Sequence, residues 1–330
     1  MKKPVLRHRA FSRKVLMNKI MDKIRWPFLG LIVLALATVP VWGTEYILFF
    51  CLLFCLYLAL SQMWNLLAGY SGLISLGQQS FIGLGGYTVA VFCNYYQVSL
   101  WLSILIGGVV SCLLALFMSL FIFRMKGVYF AIGTWIFAET LVIWFGNWKY
   151  VKYGMGLFIK PPTPVTMEQI YYAALITGVG SVVLVYALLR SRVGLGLMAM
   201  RDDEAVAEAM GVGVFRSKLY CFLLSAFVTG VTAGILYTFQ VFIQPYRGFG
   251  IDWTVKLVFI VIIGGIGTIE GPILGAFIFV LLSQSLAEYF SVSMLILGAI
   301  AIIVILVAPK GIMGSLQEKL GFEILSPRRR

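Results

Sequence analysis

Tyr46-Ile-Leu-Phe-Phe-Cys-Leu-Leu-Phe-Cys-Leu-Tyr-Leu-Ala-Leu60 opens a run that reaches Phe123 without one Asp, Glu, Lys, Arg or His. The run is 78 residues long. One membrane-spanning helix needs about 20 apolar residues, so it holds about three or four spans. The bilayer core offers backbone amides no water, so such a run is helical wherever lipid touches it. It lacks the polar–apolar alternation of membrane β-barrel strands. Over the whole 330-residue chain 61% of residues are hydrophobic and 12% charged, against roughly one quarter charged in a soluble domain. The sequence predicts an all-α polytopic membrane protein.

The net charge of +13 lies in loops and tails, where the topology rule puts it, and not on a face suited to nucleic acid. Residues 1–25 carry nine Lys or Arg against the single acid Asp22. This basic arm is read as cytoplasmic, close to anionic lipid headgroups. No small-residue cleavage site follows the first apolar run, so Trp26 to Trp42 is read as a retained span and not as a secretory signal. Cys51, Cys55, Cys93, Cys112 and Cys221 all fall in apolar segments without His or acidic company, which reads as packing and not as metal or disulfide chemistry.

With the N-terminus inside, spans are expected near 27–43, 46–67, 81–97, 100–123, 128–146, 170–189 and 219–240. Residues 147–168 and Gln244 to Gly250 are then outer loops. Residues 254–289 form either one long span or two short ones broken between Gly264 and Pro272, and a last span covers about 293–308. Two short segments give about ten crossings, set 21 of the 26 basic residues inside and leave both termini cytoplasmic. The membrane domain is then 26–308, followed by a basic tail, 309–330.

Two Gly-rich breaks fall early in two loosely similar halves. One runs from Gly69 through Gly72 and Gly77 to Ser80; the other holds Gly264, Gly265, Gly267, Gly271 and Pro272. Broken helices at matching places in two halves point to a transport site, while single glycines also serve close helix packing. Residues 190–218 form one polar island between long apolar stretches. Within it Asp202 or Asp203 is placed to cap a helix, and Gly211 to end one. Ala205, Val206, Ala209 and Met210 share one face at helical spacing, with Glu204 and Glu208 on another. About three turns of such helix resemble a peg for a partner's groove; a solvated cytoplasmic loop with a stray helix is the other reading.

Several chemistries are missing. No Gly-x-x-x-x-Gly-Lys-Ser/Thr phosphate loop occurs, so ATP, if used, binds another chain. The only histidine, His8, lies in the basic arm, which excludes His catalysis and His-ligated zinc. Glu139 is the one acid deep in an expected span and is a functional candidate for that reason; Glu270 and Glu288 are expected nearer breaks or interfaces.

The residues Trp64-Asn-Leu-Leu-Ala-Gly-Tyr-Ser-Gly-Leu-Ile-Ser-Leu-Gly-Gln78, Phe81-Ile-Gly-Leu-Gly-Gly-Tyr87, Glu208-Ala-Met-Gly211, Gly264-Gly-Ile-Gly-Thr268, Gly271-Pro-Ile-Leu-Gly275 and Ala308-Pro-Lys-Gly-Ile312 occur in that order. Together they resemble the permease subunits of high-affinity branched-chain amino acid ABC importers, over roughly residues 45–315. The long basic N-terminus resembles the larger permease of the usual pair. Gln78-Gln79 and Glu270 depart from that pattern.

The resemblance implies a non-enzymatic inner-membrane subunit. Its implied partners are a second permease, two ATPases holding ATP and Mg, and a periplasmic or lipid-anchored solute-binding protein. It makes Arg201, Asp202, Asp203, Glu204, Ala205, Glu208, Ala209, Met210 and Gly211 the segment that couples to an ATPase. Asn65, Gln78, Gln79, Ser80 and Glu139 become candidates for lining the solute path; interhelical hydrogen bonding is the other reading for each. The solute stays open among branched-chain amino acids, amides, urea and aromatic acids. The competing class, an ion-coupled transporter or channel, calls for more buried carboxylates than this chain has.

Overall fold

The computed structural model describes residue 27, residues 29–286 and residues 290–320. The basic arm 1–25, Glu288 and the tail after Leu320 lie outside the described residues. In chain order the helices are α1 (Leu29–Trp42), α2 (Glu45–Asn65), α3 (Gln78–Tyr95), α4 (Leu100–Ile122), α5 (Val128–Asn147), α6 (Met167–Leu189), α7 (Arg192–Asp202) and α8 (Glu204–Ala209). There follow α9 (Val214–Gln240), α10 (Pro245–Gly248), α11 (Asp252–Gly264), α12 (Gly271–Ser285), α13 (Phe290–Val307) and α14 (Gly311–Leu320). The two strands, β1 (Leu157–Phe158) and β2 (Phe242–Ile243), pair antiparallel.

Among the described residues six helical stretches are long and apolar enough to cross a membrane, and Leu29–Trp42 and Gly271–Ser285 are shorter apolar helices. The starts are chemically marked. The Thr44 hydroxyl accepts from the Ile47 amide, and Thr166 with Gln169 forms a reciprocal capping box at α6. The interior is built around α9. Gly85, Gly107 and Gly230 let α3, α4 and α9 meet backbone to backbone, because a Cβ on Gly230 would stand 2.8 Å from the Gly107 carbonyl.

Residues 254–286 resolve into two short helices, and 287–289 lie outside the described residues. Gly264 faces Gly271, Ile260 faces Gly275, and the Phe259 and Phe279 rings lie 5.7 Å apart, so α11 and α12 form an antiparallel hairpin. Their 13 and 15 residues extend about 20 Å and about 22 Å, each short of the roughly 30 Å hydrocarbon core.

The first break differs from the expectation. It opens with a π-helical turn, Leu66–Tyr70, continuous with α2, and is irregular only over 71–77. Gln78, Gln79 and Ser80 are the first residues of α3, so that helix starts three residues before the expected span. The polar island is also corrected. It holds two helices, not one peg of three turns: α7 ends at Asp202, the chain bends at Asp203 (φ −156°, ψ 117°), and α8 has six residues. An acidic side chain between two short helical runs caps the second better than it continues the first.

The bundle has two distinct ends. At one end lie 69–72, α7, the 265–270 turn and α14. At the other, 147–160 and 241–250 come together: the Ile159 amide donates to the Val241 carbonyl at 2.8 Å, and Asn94 Nδ2 donates to the Phe158 carbonyl at 2.7 Å.

Candidate functional site

The two Gly-rich breaks pack against each other. Asn65, in the last turn of α2, donates through Nδ2 to the Thr268 carbonyl at 2.8 Å and accepts through Oδ1 from the Gly267 amide at 2.9 Å. Three residues earlier on the same helix face, Gln62 Nε2 donates to the Ile269 carbonyl at 2.7 Å. Both side chains are fully buried. Gly69 has no room for a Cβ, which would run into Asn65 Oδ1 and stand 2.6 Å from the Gly267 amide nitrogen. Gly265 (φ +125°) and Gly267 (φ +74°) take backbone conformations that suit glycine. Thr268 Oγ1 then accepts from the Gly271 amide at 3.0 Å, at the start of α12 where Pro272 follows. Gly264, at the end of α11, lies directly against Gly271.

Arg201 joins this contact from the island. Its Nη1 donates to the Gly69 carbonyl at 2.7 Å, and a Cβ on Gly267 would meet the same nitrogen at 2.7 Å. Gly72 (φ +72°) lies 3.5 Å, measured from a Cβ, from the Arg201 Cα. One guanidinium on α7 thus touches both breaks. Gly77 anchors the first break to α5, where it abuts the Thr134 carbonyl while the Leu76 amide donates to Thr134 Oγ1 at 3.0 Å.

A second buried polar layer lies at the start of α3. Gln78 Nε2 donates to Thr229 Oγ1 at 2.7 Å and to Ser225 Oγ at 3.1 Å, both on α9. Thr254 Oγ1, on α11, donates to Gln79 Oε1. Gln62 Oε1, Gln78 Oε1, Gln79 Nε2 and Ser80 Oγ are buried and have no hydrogen-bond partner among the described residues. Folded proteins rarely leave such groups unpaired, so this layer is polar beyond what helix packing uses.

On the island, Asp203 Oδ1 accepts from the Ala205 and Val206 amides at 2.9 Å and 3.1 Å and caps α8. Lys218, almost completely buried on α9, donates to Glu204 Oε1 at 2.8 Å and ties α8 to the bundle. Gly211 ends the segment at φ +85°. Only Ala207 of α8 is buried. Ala205, Val206, Glu208, Ala209 and Met210 are exposed, as are Asp202 and Asp203. The small-residue face therefore points away from the bundle.

Glu139 does not join the α3 layer. It sits at mid-length on α5, half-buried, with Oε1 accepting from Trp135 Nε1 one turn earlier at 3.0 Å. Glu270 is buried in the second break, where Gln317 Nε2 of α14 donates to its Oε2 at 3.2 Å. Sequence reasoning missed Gln62, Thr254, Ser225, Thr229 and Thr268. Only Gln62 carried a usable signal, three residues from Asn65 and so on its face.

The family described as branched-chain amino acid transport system / permease component matches residues 46–306. High-affinity branched-chain amino acid transport system permease proteins LivM of Salmonella typhimurium and of Escherichia coli are each 26% identical to this chain, across 78% of it and 68% of their own length. The LivH permease protein of E. coli is 28% identical across 45% of this chain and 48% of its own length. No solved structure matches. The match runs from α2 to α13 and so takes in both breaks and the island, and the chain belongs to the family of branched-chain amino acid transport permeases: multi-pass inner-membrane subunits that are not themselves enzymes and work beside a second permease.

Proposed function

We propose that this chain is the permease subunit of an ABC importer that carries branched-chain or chemically related amino acids. A periplasmic or lipid-anchored binding protein delivers the solute to the end formed by 147–168 and 241–253, and two ATPases, which hold ATP and Mg, act on the island. The observation that carries the reading is the Arg201 contact with both Gly69 and Gly267. Movement of α7 and α8 on an ATPase is felt at once by the two segments able to rearrange in the membrane. Ten crossings follow if α1, α3, α11 and α12 join the longer spans, with α11 and α12 as two short ones. Both termini and the island are then cytoplasmic, as the basic residues favour.

In this reading Gln78, Gln79 and Ser80 line the path, and their unpaired groups meet the solute or water. Asn65, with both ends of its amide bonded to the second break, holds the breaks together and governs their movement. Affinity resides in the binding protein, so passage needs no tight site. The test is the double substitution Glu208→Arg and Gly211→Arg. Normal insertion with loss of solute-stimulated ATP hydrolysis is expected; unchanged uptake would defeat the proposal.

A further inference from the structure

Most long helices that expose a face expose an apolar one. On α4 that face includes Leu105, Val109, Leu113, Leu116 and Leu120, which suits lipid. The exposed stripe of α5 is different. It runs through Ile132, Ile136, the half-buried Glu139, Ile143 and the half-buried Gly146 at helical spacing, with Ile136 59% and Ile143 65% exposed. Glu139 is the twelfth of twenty residues in the helix, the depth at which a carboxylate facing hydrocarbon is most costly. Trp135 occupies only its Oε1, and Oε2 has no partner among the described residues. A Cβ on Gly146 would meet nothing within 4 Å, so another backbone has room to approach there. At the start of the stripe an open groove of about 500 Å³ is lined by Arg124, Lys126, Tyr129 and Ile136, and neither cation has an ion-pair partner among the described residues.

We propose that this face of α5 seats the second permease subunit, with Glu139 in the seam between the two chains. The inference rests on the reading of the chain as one permease of a pair. Two permease proteins of one named E. coli transport system, LivM and LivH, are both similar to this chain, which supplies an occupant of the right kind. The chemistry of the face defines the partner's surface: an apolar helix offering a hydrogen-bond donor at mid-depth to Glu139 Oε2, and an acceptor or acid at the end that meets Arg124 and Lys126. Lipid chains offer Glu139 no hydrogen-bond donor at mid-depth.

The test uses the complete transporter in native membranes, with a photoreactive p-benzoylphenylalanine placed at Ile143, or at Leu113 on α4 as the control. The expected result is an adduct with the second permease, identified by mass spectrometry, from position 143 and not from 113. Adducts with lipid alone at 143, adducts with the second permease only at 113, or none at 143 in an assembled complex overturn the proposal. Should the bulky probe block assembly, Ile143→Cys with a thiol cross-linker replaces it and is read the same way. Glu139→Leu is expected to reduce co-purified second permease about threefold, the size of one interhelical hydrogen bond in a membrane, while Glu139→Gln retains it. If the unaltered chain brings down no second permease at all, the functional reading fails; if it does and α5 makes no adduct, only this surface fails.

Discussion

Arg201 Nη1 donates to the Gly69 carbonyl at 2.7 Å across 132 residues of sequence. The bond ties the island to the end of α2, and the same nitrogen lies beside Gly267. A charged donor on a backbone carbonyl in a partly buried setting contributes about 1.5–3 kcal/mol, and here it links α7 directly to the first break.

Arg201→Ala is therefore expected to uncouple the importer. Uptake in vesicles should fall roughly tenfold, the effect of about 1.4 kcal/mol lost at the link, while chain abundance and basal ATP hydrolysis persist. Arg201→Lys should recover only part of the uptake, because a single ammonium cannot reproduce the planar fork. If uptake and hydrolysis fall in parallel, the link is structural and the coupling role is lost.

Gly69→Ala tests the contact between the breaks. The added methyl has no place between Asn65 Oδ1 and the Gly267 amide, and overpacking a tight contact costs about 1–3 kcal/mol. Thermal unfolding of the detergent-purified chain should move down by a few degrees. Gly146→Ala, where an added Cβ meets nothing, should leave it in place.

Asp203→Ala removes the two hydrogen bonds that start α8. Loss of such a cap costs about 1 kcal/mol, a large share of what a six-residue helix holds. Faster amide hydrogen exchange across 204–209 is expected, together with weaker retention of the ATPase on the purified permease. Unchanged exchange would show that the Lys218–Glu204 pair alone holds the segment.

Gln79→Leu separates a path role from a packing role. It gives up the bond from Thr254 but also removes a buried donor without a partner, so net stability should change by no more than about 1 kcal/mol. Uptake should nevertheless drop severalfold. Asn65→Leu, which strands the Gly267 amide and the Thr268 carbonyl, should lower stability by more than Gln79→Leu does. The reverse order would place Gln79 in the packing and free Asn65 for the path.

Much of this protein is legible from order and composition alone. The uncharged run 46–123 announces its helices because lipid admits only helices or closed barrels, and the run lacks a barrel strand's alternation. The two breaks announce themselves through glycine and Pro272, and Asp203 and Gly211 through their preferences at helix ends. The bend at Asp203 was less legible, because Asp202 and Asp203 suit the cap equally well. So was the start of α3, where Gln78 to Ser80 are too polar to read as helix in a membrane until Ser225, Thr229 and Thr254 are known to face them.

By itself the sequence determined the class of the protein and the location of its breaks, since those depend on local preference and on the solvent that surrounds the chain, and the order of its motifs carried the resemblance to the family. Only the tertiary structure decided that the breaks meet, that Asn65 spans 203 residues to hold Thr268, that Arg201 reaches both, and that Glu139 stands apart on the outer face of α5. Contacts between distant segments depend on how helices rotate and stack, and no periodicity along the chain records that.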